Sequence, residues 1–157
     1  MKKVLIALDY NPSSQKVAET GYALAKAMNA QTVLLHVASD ATYYSSLNYS
    51  PIMGFGGFIN SYLIETDSLE EIKKAAQIFL DKAKGHLNDD KIKTIVKDGD
   101  FAELILKTAK RLNADIIVMG THSRRGLEKI LMGSVAEKVL QHSSIPLFII
   151  PTKVFID

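Results

Sequence analysis

The chain has 157 residues, 47% hydrophobic and 23% charged, with a formal net charge of +2 and no cysteine. That length fits one domain with a substantial core, and the mild charge points away from nucleic acid and anionic membranes as partners. The absence of cysteine excludes a disulfide scaffold, a thiolate zinc site and thiol catalysis. No apolar stretch approaches membrane-spanning length, and the run Val4–Leu8 is stopped by Asp9 before it could serve as a signal-peptide core. The expected compartment is the cytoplasm.

Val4–Leu8 is continuously apolar, as in a strand buried on both faces of a parallel sheet. Asp9 stands at its end. Asn11 and Pro12 then open a helix, the asparagine as cap and the proline in the first turn. Val17, Gly21, Leu24, Ala25 and Met28 share one face of that helix, and Asn29 ends it. Thr32–Val37 is the second strand, so the chain begins with a strand–helix–strand unit whose crossover is right-handed.

Between Ala38 and Ile64 the alternation of strands and helices stops. The segment is rich in Tyr, Phe, Ser and Gly and nearly uncharged, unlike a disordered linker. It reads as a flexible insert, either a flap over apolar surface or a substrate lid. Its glycines Gly54, Gly56 and Gly57 do not make a dinucleotide fingerprint, because Ile59 occupies the third glycine position.

Ser68 and Glu71 have capping-box spacing. They precede a long amphipathic helix with Leu69, Ile72, Ala76, Phe79, Leu80, Ala83 and Leu87 on one face. Lys91–Lys97 is a third strand whose terminal lysines suit a sheet edge. Asp100 and Glu103 cap the next helix, which carries Leu104, Ile105, Ala109 and Leu112, and Asp115–Met119 is strand four. A further helix and the strand Ile145–Ile150 complete the series. The pattern predicts an α/β, Rossmann-like domain over residues 1–157: one doubly wound, five-stranded parallel sheet of order 3-2-1-4-5 with helices on both faces.

The richest stretch for chemistry runs from Ile116 to Ile150. Gly120 follows an apolar strand and either makes a turn or lets a ribose or phosphate approach the backbone. Gly133-Ser134 precedes a helix. Ser134 with Glu137 has capping-box spacing, yet a helix start behind a glycine is also an anion site. Arg124 and Arg125 either clamp phosphate or point to solvent. His36, His86, His122 and His142 lack metal-ligand spacing, so any Mg²⁺ would arrive with phosphates rather than on a protein-built site. Neither a Gly-x-Ser-x-Gly elbow nor a Walker loop is present, which argues against efficient phosphoryl transfer and gives no catalytic residue.

Gly120-Thr121-His122-Ser123, nine residues, then Gly133-Ser134-Val135 resembles the nucleotide loop of the universal stress protein family. The family pattern is Gly-x-x-Gly, nine residues, Gly-Ser/Thr. The likeness extends to Asp9, His36-Val37, Ala114–Gly120, Gly133–Val139 and Pro146. It implies binding of ATP, or of ADP or AMP, across the ends of strands one, two and four. Ala7, Leu8 and Asp9 match positions beside adenine and ribose, and Val37 matches a backbone contact to adenine. Met119 and Gly120 match the ribose side, Ser123, Arg124, Gly133, Ser134, Val135 and Ala136 match the phosphate cradle, and Thr121 is a further nucleotide-binding position in the Gly120–Arg124 loop. Asp9 can equally be the cap of a neighbouring turn.

Ser123 departs from the pattern, standing in place of its second glycine. If that position needs positive φ, serine is strained there by about 1 kcal/mol; alternatively its hydroxyl donates to the phosphates. The resemblance also implies a homodimer through the edge strand Ile145–Ile150, the alternative being that Val154–Ile156 folds back over that edge. The functional expectation is a nucleotide-binding module in stress adaptation. A weak ATPase or nucleotidyl-transfer enzyme and a nucleotide-free interaction protein are the competing readings.

Overall fold

The computed structural model describes residues 1–38, 69–121 and 133–152. The elements are β1 (Lys3–Ala7), α1 (Ser14–Ala27), β2 (Gln31–Ala38), α2 (Leu69–Leu87), β3 (Lys93–Asp98), α3 (Phe101–Leu112), β4 (Ile116–Gly120), α4 (Ser134–His142) and β5 (Leu147–Ile150). The strands form one sheet of order β3-β2-β1-β4-β5, every pair parallel. This is the expected doubly wound topology, with the lysine-bearing β3 at one edge and β5 at the other.

Alternation along the strands splits the core into two layers. Val4, Ile6, Leu34 and Val118 face one way and pack with Val17, Ala18 and Ala25 of α1 and with Ile72, Phe79 and Leu80 of α2. Leu5, Val33, Leu35 and Ile117 face the other way, against Ala102, Ile105 and Ala109 of α3 and Ala136 and Val139 of α4. Helices on both faces explain why β1 reads as an unbroken apolar run: Val4, Leu5 and Ile6 are all fully buried. Gly21 allows α1 to lie this close to the sheet. A Cβ there would sit 2.9 Å from Cδ1 of Ile6 and 3.0 Å from Cγ1 of Val118.

The helix ends follow local chemistry. Asn29, Asn88 and Asn113 each adopt φ of 53°, the left-handed conformation in which asparagine is tolerated and helices stop. At the start of α3 the Asp100 carboxylate accepts the Glu103 N–H at 2.9 Å, the cap expected from the sequence. Asp100→Ala should therefore lower stability by about 1 kcal/mol in urea unfolding, whereas Asp100→Asn, which also caps, should change it little. An alanine variant as stable as the parent would show that this cap contributes nothing.

Several boundaries differ from expectation. Strand β1 ends at Ala7, although the Leu8 N–H still donates to the Leu35 carbonyl at 2.9 Å. Helix α1 begins at Ser14 rather than just after Asn11, because Oδ1 of Asn11 accepts both the N–H and the hydroxyl of Ser13 and holds a separate turn. Strand β3 starts two residues late, since Lys91 and Ile92 are taken by a turn around Asp89. Leu69, expected on the buried face of α2, is 43% exposed at the first turn of that helix. Strand β5 begins at Leu147 because the Ser143 hydroxyl bonds both backbone groups of Ile145. Ser68, the 38–64 insert beyond Ala38, Ser123, Arg124, Arg125 and Val154–Ile156 lie outside the described residues.

Candidate functional site

The chain moves outward from β1 to β2 and β3, then returns to the other side of β1 to lay down β4 and β5. The order therefore reverses between β1 and β4, and the crevice beyond their carboxyl ends is the place where such sheets take ligands. Ala7 pairs with Leu35 and Ile6 with Val118. Continuing that register sets Leu8 level with His36 and Gly120, so Asp9, Val37 and Thr121 stand together one step further out. The exits of β1, β2 and β4 thus lie at one end of the sheet.

The faces sort these residues further. Val37, Met119 and Ala136 are buried in the cluster on the α3–α4 face, with Ala7 and Val135 packed against it. These five residues fall in the same core layer. The Leu8 side chain is not among them: it packs in the opposite cluster with Tyr10. Asp9 accepts the Asn11 N–H through Oδ1 at 2.9 Å, so the turn-capping role is present. The Thr121 N–H donates to the Ile150 carbonyl at 3.1 Å, and its Oγ1 accepts the Thr152 N–H at 3.3 Å. Thr121 accordingly ties the exit of β4 to the chain beyond β5.

Helix α4 completes the site. Because β4 and β5 are parallel, the helix between them runs back against the strands and brings its N-terminus to the carboxyl edge. The capping-box reading of Ser134 and Glu137 is corrected here. Gly133, at φ −58° and ψ 153°, is the N-cap, no side chain among the described residues caps the helix, and Ser134 is already its first residue. The first backbone bond of the helix runs from the Glu137 N–H to the Gly133 carbonyl at 2.9 Å. The preceding amides of Ser134, Val135 and Ala136 have no intrahelical acceptor by geometry, and Ser134 is exposed. Together with the helix dipole they form a donor set of the kind that holds phosphate oxygens. Among the described residues, no three His, Asp or Glu side chains gather where they would hold a metal ion.

Beneath the β1 exit lies an aromatic cluster that sequence reasoning missed. The His36 ring is 4.4 Å from that of Tyr10, tilted by 34°, and 5.6 Å from Phe79; Tyr10 and Phe79 meet edge to face at 5.0 Å. All three side chains are buried. His36 Nδ1 lies 2.8 Å from the Leu8 carbonyl. A carbonyl can only accept, so Nδ1 carries the proton. Burial pushes the His36 pKa below the ordinary histidine value, with the Leu8 carbonyl and the Asp9 charge opposing that shift. The available signal was weak: His36 followed by Val37 at the end of a strand, with Tyr10 two positions past the first strand.

Fold and crevice together define a doubly wound α/β protein with a phosphate-type helix terminus at its switch point. Residues 1–151 match the universal stress protein family, and the chain belongs to it. The chain is 31% identical to the universal stress protein MJ0531 of Methanocaldococcus jannaschii over 95% of its length and 81% of that protein. It is 30% identical to the universal stress protein YxiE of Bacillus subtilis, over 94% of this chain and 97% of that one. The solved structure of MJ0577, a universal stress protein of M. jannaschii, superposes with a TM-score of 0.72 at 26% identity, covering 98% of both chains. A universal stress protein crystallised in complex with cAMP shares the fold, with a TM-score of 0.61 at 19% identity over 97% of this chain and 98% of that one.

Proposed function

We propose that the protein binds an adenine nucleotide, ATP or its shorter forms ADP and AMP, and acts as a nucleotide-responsive module in stress adaptation. The base and ribose lie at Ala7–Asp9, Val37 and Met119–Gly120. The phosphates are held between Gly120–Arg124 and Gly133–Ala136, with any Mg²⁺ arriving on them. The observation that carries the reading is the N-terminus of α4, uncapped by any side chain among the described residues and following β4, the strand beside the switch point. Its amides suit anionic oxygens, and a universal stress protein of the same fold has been crystallised with the adenine nucleotide cAMP.

In this reading the chain is one cytoplasmic domain over 1–157, with 38–64 as an insert that can answer to the bound nucleotide. Two copies pair through the strand edge at Ile145–Ile150, where Phe148 is 38% exposed and, among the described residues, β5 has a strand neighbour on one side only. The test is to denature purified protein, search for released ATP, ADP or AMP by mass spectrometry, and titrate nucleotide-free protein with Mg-ATP in a calorimeter. Saturable heat at a one-to-one ratio is expected. No released nucleotide and no binding heat would overturn the reading.

A further inference from the structure

The ladder between β1 and β2 runs in register from Lys3–Gln31 to Ala7–Leu35. One further bond extends it, from the Leu8 N–H to the Leu35 carbonyl at 2.9 Å. In a parallel ladder, a residue that donates to one strand neighbour accepts from the residue two positions later on that strand. The next bond would therefore run from the Val37 N–H to the Leu8 carbonyl. The Leu8 carbonyl instead meets Nδ1 of His36 at 2.8 Å. The His36 ring is held in place by Tyr10 and Phe79.

We propose that His36 is a positioning residue that ends the β1–β2 ladder one bond early and so keeps the Val37 N–H available to an acceptor nitrogen of the bound base. The inference rests on the nucleotide reading above. By the register, the Val37 peptide faces the β1 side of β2 just past the end of β1, where no strand partner remains among the described residues. Without a donor from His36, the buried Leu8 carbonyl would be costly to leave unsatisfied. The nearest remedy is the missing ladder bond, which would consume the amide that the base needs. Histidine suits the task because its Nδ1–H reaches the carbonyl from within a buried ring stack.

The test compares the unchanged protein with His36→Phe, which keeps an aromatic ring without the donor, and His36→Asn, which keeps an amide donor near the Nδ1 position. Amide exchange by NMR reports on Val37, and calorimetry measures ATP and inorganic tripolyphosphate. In the unchanged protein the Val37 amide should exchange readily without ligand and become protected by ATP. In His36→Phe it should be protected without ligand and ATP affinity should fall about tenfold, while tripolyphosphate affinity stays the same. His36→Asn should restore both ATP affinity and the open amide. A Val37 amide already protected in the unliganded, unchanged protein would overturn the inference, and so would parent-like ATP binding by His36→Phe. If His36→Phe does not fold, the first of these measurements and the asparagine variant still decide. If the unchanged protein binds no ATP, the nucleotide reading falls, and the Val37 exchange pattern still reports separately whether His36 ends the ladder.

Discussion

Replacing Phe79 by alanine should destabilise the protein by about 3–5 kcal/mol, the range for deleting a fully buried aromatic ring. Phe79 is 1% exposed and belongs to the core cluster between α2 and the sheet. Its ring contacts those of Tyr10 and His36 at 5.0 and 5.6 Å, so truncation removes edge-to-face contacts as well as area. Domains of this kind are stable by about 5–15 kcal/mol in total, so a loss of this size consumes a large share of that margin. In urea unfolding the midpoint should drop with little change in slope. Phe79→Leu, which retains much of the volume, should cost markedly less. A Phe79→Ala variant within about 1 kcal/mol of the parent would mean that the ring is not packed as described. Because Phe79 also supports His36, the variant should bind ATP more weakly even where it is fully folded.

That cluster marks where the sequence stopped being legible. The strands could be read because burial on both faces leaves continuous apolar runs such as Val4–Leu8, and the edge strand β3 because lysines flank it. Asp100 could be recognised as a cap because its partner lies three residues away. Tyr10, His36 and Phe79 come from the β1–α1 loop, β2 and α2, and only the order of strands brings their rings together. Periodicity placed Phe79 on a buried helix face without saying what it would meet. The one-residue error at α4 had a different cause. Ser134 and Glu137 have the spacing of an N-cap and its third residue, but the extended dihedrals at Gly133 put the cap one position earlier. Spacing alone could not reveal that shift, and it matters, because a serine engaged as cap would have used one of the amides that phosphate needs.

The correction at Gly133 sharpens what a substitution there should do. Gly133→Asp should reduce ATP affinity on the order of 100-fold or more, while the fold is kept and α4 is, if anything, slightly steadier. The backbone at Gly133 has φ of −58°, which any L-residue adopts, so aspartate adds no backbone strain. Aspartate is also a favoured N-cap: its carboxylate would accept the amide of Val135 or Ala136, just as Asp100 accepts that of Glu103 in α3. The phosphates then lose a donor to an internal competitor and face a like charge at contact distance, and charge-assisted bonds of this type are worth about 1.5–3 kcal/mol each. Gly133→Asn separates the two effects, since asparagine caps without charge. It should weaken ATP binding less than aspartate does and leave a smaller dependence on salt. Calorimetry of the two variants beside thermal melts gives the comparison. ATP affinity unchanged in a folded Gly133→Asp protein would remove the α4 terminus from the site and leave the crevice between β1 and β4 without its phosphate end.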